Sequence, residues 1–188
     1  MLYTNIIITD CIESTKRNVD RAVTTFSRLS DLQLNWKPAA EVWSAGECIN
    51  HLVTTNNLYL TKIEQILNSN NTGTENAYSY TQSLMGKMIA KAVNPANVKK
   101  SKTFKVFLPD VSRIKKAVVE DYINTSTKFI DQAMKMNQLD LRKAKLSSPV
   151  NFLIRLNLGD VLIIIPKHDE RHLNQAERLL KMKNFFGE

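Results

Sequence analysis

Apolar residues between positions 12 and 34 recur as Ile12, Val19, Val23, Phe26 and Leu29 or Leu34, spacings that keep them near one helical face and predict a first long helix over 12–34. Pro38 disfavours helical geometry in the residue before it, so 35–42 reads as a loop. A second helix then opens with complete punctuation. Ser44 is placed to cap it, Glu47 completes an S-x-x-E capping box, and Trp43 and Cys48 stand at the hydrophobic-staple positions. Its apolar line through Ala45, Ile49, Leu52, Tyr59, Ile63 and Ile66 carries it to Leu67, and the polar run 68–73 that follows is a surface loop.

Positions 80–93 hold a shorter helical pattern, and 94–109 is irregular and basic, with a brief extended piece at 104–108. A third long helix is predicted over 111–136, capped by Asp110, with Ile114, Val118, Tyr122, Phe129 and Ala133 as its buried stripe. The segment 138–150 is another connection, closed by Ser147-Ser148-Pro149. The last helix begins near Asn157, where Asn-x-x-Asp imitates a capping box, and continues to Lys183. Pro166 falls inside it, removes a backbone hydrogen bond and crowds the preceding turn, which predicts a kink or a short break just before His168. Four long helices and a short one, without internal repeats, describe an all-α fold: a four-helix bundle with a short extra helix and a basic irregular insertion.

Length and composition agree with this picture. A chain of 188 residues suits one domain, 1–188, and 43% hydrophobic with 23% charged residues is ordinary globular composition. The longest strongly apolar runs, 161–166 and 6–8, fall far short of the roughly 20 residues that cross a bilayer, so no membrane span is expected. Asp10 and Glu13 interrupt the early apolar patch and no basic region precedes it, which speaks against a signal peptide. The expected location is cytoplasmic, with Cys11 and Cys48 kept as thiols. A net charge of +8 raises the question of a polyanionic partner. The densest group, Lys99, Lys100, Lys102 and Lys105, lacks regularly interleaved aromatics, so a solvated basic loop is favoured over a nucleic-acid site.

The candidate chemistry lies in the histidines. There are only three, and His168 and His172 stand four apart, so on a helix both imidazoles project from one face and can reach one ion. Leu162, Ile165, His168, His172, Gln175 or Ala176, and Leu179 form one line, which aims both rings at the core. Two imidazoles in apolar surroundings need compensation for their polar nitrogens, and a metal supplies it. His51, between Ile49 and Leu52, is placed by the bundle to bring a third ring to the same point. Spacing alone leaves open a hydrogen-bonded helix pair and a satisfied core histidine. Cys48, one turn before His51, is a conceivable fourth ligand, although its staple position favours packing. Gln175, Glu47, Asp169 and Glu170 are candidates to orient the ligands.

The stretch Trp43-Ser44-Ala45-Gly46-Glu47-Cys48-Ile49-Asn50-His51-Leu52, after the Trp36-Lys37-Pro38 loop, resembles the first signature of the DinB-like superfamily, also described as the YfiT or bacillithiol-transferase-like fold. His168-Asp169-Glu170-Arg171-His172-Leu173-Asn174-Gln175 resembles its second signature. The resemblance implies a four-helix bundle of up-down-down-up character and a metal site of three histidines, His51, His168 and His172, holding zinc or nickel. Characterised relatives of that kind include thiol-dependent S-transferases and a mycothiol-dependent isomerase. The fold also admits a homodimer, although no symmetric apolar patch stands out in the sequence. The basic loop is longer than the plainest version of the fold requires.

These residues lead to the expectation of a metal-dependent enzyme of the thiol S-transferase or hydrolase type. Three neutral imidazoles leave a divalent ion its full charge and at least one open position, as in catalytic zinc sites, where a thiol or water becomes a nucleophile. The substrate would be a small molecule or a low-molecular-weight thiol, and a basic rim including Arg171 or Lys167 would draw in a carboxylated one. The alternative is a non-catalytic metal-binding protein whose basic surface meets a partner.

Overall fold

The computed structural model describes residues 3–69, 80–97, 103–108 and 113–185. Four long helices dominate it: α1 (Tyr3–Phe26), α3 (Ala45–Asn68), α5 (Ala117–Lys135) and α6 (Leu158–Leu180). Two short helices, α2 (Asp31–Asn35) and α4 (Leu84–Ala92), and a hairpin of β1 (Lys145–Ser147) and β2 (Arg155–Asn157) lie in the connections. No described helix is long and apolar enough to cross a membrane.

Each long helix starts where its sequence chemistry allows. Ser44 accepts the amide of Glu47 while Glu47 returns a bond to the amide of Ser44, so the capping box of α3 is real. The Asn157–Asp160 pair does the same for α6. A third capping box, Ser30 with Gln33, opens α2, and it divides the single helix expected over 12–34 into α1, a turn and α2. The buried line of α1 is Ile8, Cys11, Thr15, Asn18, Ala22 and Phe26, whereas Val23, assigned inward from the apolar pattern, is 42% exposed. Small and polar residues occupy positions that an apolar count passes over.

Other boundaries moved for identifiable reasons. The shorter helix predicted over 80–93 begins only at Leu84, capped by Ser83. Tyr80 is held outside it, its hydroxyl 2.7 Å from Asp160 Oδ1 on α6. The helix predicted from 111 begins at Ala117, and the expected cap, Asp110, lies outside the described residues. Ile114 therefore precedes α5, yet it is 2% exposed, because the side-chain amide of Asn35 bonds both its N–H and its carbonyl. The extended piece expected at 104–108 is instead a 3-10 turn at Lys105–Phe107. The connection 138–150 contains β1, which pairs antiparallel with β2 and sets Leu146 opposite Leu156, both buried. Finally, α6 passes through Pro166 without a break. The carbonyl of Pro166 is bonded by the buried side chain of Asn18 on α1, which helps dock the helix there.

Side-chain bonds between helices fix their directions. Along α1 and α6, Asn18 meets Pro166 and Arg21 meets Glu177, so these two run parallel. Asn56 of α3 meets Asp169, and Lys62, further along α3, reaches Ser147 ahead of α6, so α3 is antiparallel to α6. Asn56 and Tyr122 both bond Asp169, and beyond them Gln132 bonds the carbonyl of Leu60, so α5 runs with α3. The bundle is up-down-down-up, with α3 against α5 and α6, and α1 against the same two.

Its core is two apolar clusters. One gathers Ile63, Phe129, Leu158 and Leu162 toward the hairpin, and the other gathers Phe26, Leu34, Ile49, Leu52, Leu173 and Leu179 toward α2. On every long helix, polar side chains stand in sequence between the residues of the two clusters: Thr15 and Asn18, Thr55 and Asn56, Thr125 and Ser126, and Asp169, all buried. The histidines meet at the edge of this polar layer.

Candidate metal centre

His51 stands two turns into α3, where the capping box has already set the register, and is 3% exposed. His168 and His172 stand one turn apart on α6, which runs antiparallel to α3. The three rings meet face to edge, with centroids 4.5 Å apart for His51 and His172, 4.7 Å for His168 and His172, and 5.1 Å for His51 and His168. One ligand nitrogen from each lies within 4.8 Å of the other two, and this is the group that fits a shared ion among the described residues.

The hydrogen bonds select which nitrogens face the centre. Nδ1 of His51 donates to the carbonyl of Phe107 at 2.7 Å, which can only accept, so the proton sits on Nδ1 and Nε2 carries a lone pair. Nδ1 of His172 donates to Oε1 of Gln175 at 3.1 Å with the same result. Nε2 of His51 is 3.2 Å from Nε2 of His168. Two imidazole nitrogens bound at zinc-like distances to one ion, at angles between right and tetrahedral, are about 2.9–3.4 Å apart. The donor set therefore fits a divalent metal ion, with the rings of His51 and His172 tethered from behind.

Burial keeps these rings neutral. It holds His51 below the ordinary histidine range, against the opposing bond to Phe107. It carries His168 well below that range, helped by the neighbouring His172 and His51, and brings His172 to about 3, helped by His51 and Arg171. Neutral imidazole is the form that binds a metal.

The surroundings sort the other candidates. Asp169 is buried beside the rings, its Oδ1 4.0 Å from Nδ1 of His168. Its carboxyl is pushed up to about 7 by burial, although bonds from Asn56 and Tyr122 oppose the rise. Glu47 is occupied by its capping box and by Lys37, 3.0 Å away. Cys48 is fully buried in the apolar cluster around Phe26 and Leu52, and burial pushes its thiol up, so it packs and does not ligate. Arg171 bonds the carbonyls of Asn94 and Asn97, which ties α6 to the segment after α4. Lys167 is exposed. Lys99, Lys100 and Lys102 lie outside the described residues, and Lys105 is exposed.

Two contributors escaped the sequence reading. Trp43, assigned only a staple role, lies over the cluster, its ring 6.0 Å from His172 at 29° and 4.9 Å from His51. The carbonyl of Phe107 comes from the backbone, which no residue pattern marks. An aromatic directly ahead of the capped helix was the one available signal for Trp43.

The family model of the DinB superfamily matches residues 14–176. The chain belongs to the DinB superfamily. The match spans all three histidines, and the up-down-down-up bundle with a three-histidine group is what the resemblance of the two signatures implied for a DinB-like protein. No curated protein and no solved structure matches the chain significantly.

Proposed function

We propose that this DinB-superfamily protein is a metal-dependent enzyme of the thiol S-transferase or hydrolase type, working at His51, His168 and His172. The observation that carries the reading is the pair of acceptors, Phe107 O and Gln175 Oε1, which turn Nε2 of His51 and His172 toward the same centre as His168. A bound divalent ion, zinc or nickel, supplies Lewis acidity that makes a water or a thiol nucleophilic near neutral pH. The chain's own part is to hold three neutral donors with little freedom to move, between α3 and α6 and under Trp43. Lys167, exposed next to His168, gives the rim a positive charge suited to a carboxylated low-molecular-weight thiol.

A second reading rests on the same enclosure. His51 is 3% exposed, the side chain of His168 is 15% exposed, and Trp43 covers two of the rings. Such limited access also suits a metal that braces the bundle without turning anything over.

One experiment separates these readings. The protein is purified without a histidine tag, its metal content is measured, and conjugation of thiol cofactors to electrophiles is assayed beside ester hydrolysis. One metal per chain with turnover supports the enzyme. One metal per chain without turnover of any thiol or ester retires the enzyme and keeps the site, and no metal retires both.

A further inference from the structure

The three imidazoles do not share the same support. Nδ1 of His51 has the Phe107 carbonyl behind it, and Nδ1 of His172 has Gln175. Nδ1 of His168 faces the carboxylate of Asp169 at 4.0 Å, longer than a hydrogen bond.

Asp169 is an unusual group to find there. It is 1% exposed, and among the described residues no lysine or arginine pairs with it. Its donors are neutral: Nδ2 of Asn56 lies 3.1 Å from each oxygen, and the hydroxyl of Tyr122 lies 3.0 Å from Oδ2. Asn56 and Tyr122 are themselves buried, at 1% and 0% exposure, and come from two different helices. Three elements of the bundle thus aim one carboxylate in a place where an unpaired negative charge is costly. Both oxygens serve as acceptors, yet none of the donors carries a charge to balance theirs.

What is missing is a positive charge, and the adjoining site is suited to provide one. Neutral ligands leave a divalent ion its whole charge, and only the ring of His168 separates that position from the carboxylate. Glu47 cannot take this role, being committed to Ser44 and Lys37. We infer that Asp169 is the counter-charge and positioning residue of the metal centre, aimed by Asn56 and Tyr122 and acting on the Nδ1 side of His168 across 4.0 Å. The inference rests on the metal reading given above. It assigns distinct duties to neighbours in one motif: His168 ligates, and Asp169 orients and balances.

The test compares the full-length wild type with Asp169→Asn, using zinc for affinity and cobalt(II) for the spectrum. The amide keeps the shape and removes the charge. Zinc affinity should fall about 10–100-fold, the loss typical for an outer partner of a ligand histidine. The cobalt absorption bands should shift, a readout that a merely structural role for Asp169 would not move. Tyr122→Phe, which keeps the charge but loosens its aim, should lose affinity by a smaller factor, and it carries the test if Asp169→Asn fails to fold. Wild-type zinc affinity in Asp169→Asn, with an unchanged cobalt spectrum, overturns the inference and leaves the metal site standing. A wild type that binds neither ion overturns the metal reading itself, and this inference with it.

Discussion

Nε2 of His51 lies 3.2 Å from Nε2 of His168, although 117 residues separate them in the chain. The bond from Phe107 leaves Nε2 of His51 without a proton, so at that separation it needs either a donor or a shared cation. His51→Ala and His172→Ala each remove one of three donors. Both should weaken zinc retention by more than the roughly 10–100-fold cost of losing an outer partner. Chelator competition measures it, and unchanged affinity in either variant would place the ion elsewhere.

Gln175 offers a milder probe of the same centre. Its Oε1 accepts the Nδ1 proton of His172, fixing the ring's tautomer and its aim. Gln175→Leu keeps most of the volume and loses the acceptor. The expected result is zinc binding weaker by about tenfold or more, with the metal-free melting curve little changed. A variant that melts much lower but binds normally would assign Gln175 to packing instead.

The histidines were legible because they are scarce, helically spaced and set within lines of aliphatic residues. The starts of α3 and α6 were legible because capping is local: Ser44 with Glu47, and Asn157 with Asp160, need only three residues of sequence. The rest depended on distant partners. Nothing near Ile114 announces that Asn35 will hold it outside α5, and Tyr80 stays out of α4 because Asp160, eighty positions later, takes its hydroxyl. The buried polar layer was hidden for another reason. Asn18 and Asn56 meet their partners, Pro166 and Asp169, only across the folded interior, and Asp169, already a candidate to orient the ligands, draws its donors from two other helices. Of the kink or break expected at Pro166, the break does not occur, since α6 continues through it.

Gly86 of α4 packs against Asp160 of α6. A Cβ at this position would lie 1.9 Å from Oδ1 of Asp160, which is fully buried and bonded by Tyr80, Ser83 and the amide of Asn157. The carboxylate cannot swing away without losing some of those bonds, each worth about 1.5–3 kcal/mol. Gly86→Ala gains up to about 1 kcal/mol in helix propensity, so the net loss should be about 2 kcal/mol. That corresponds to a melting temperature lower by roughly 4–8 °C for a chain of this size. Calorimetry checks it, and a melting temperature at or above wild type would mean that α4 does not dock on Asp160.

Trp43 makes the site visible in solution. The chain has two tryptophans: Trp43 against His51 and His172, and Trp36, which meets Phe185 edge-on at 5.5 Å. An open-shell ion such as nickel or cobalt, held by those imidazoles, sits within a few ångströms of the Trp43 indole and should quench it strongly. Zinc has a filled d shell and should bind without comparable quenching. The Trp36→Phe protein, whose emission comes from Trp43 alone, should therefore lose most of its fluorescence as nickel is added, while the Trp43→Phe protein loses little. Zinc added first should protect Trp36→Phe from nickel, because both ions compete for the same three rings. Equal quenching of the two variants, or quenching that zinc leaves untouched, would mean that nickel binds away from His51, His168 and His172.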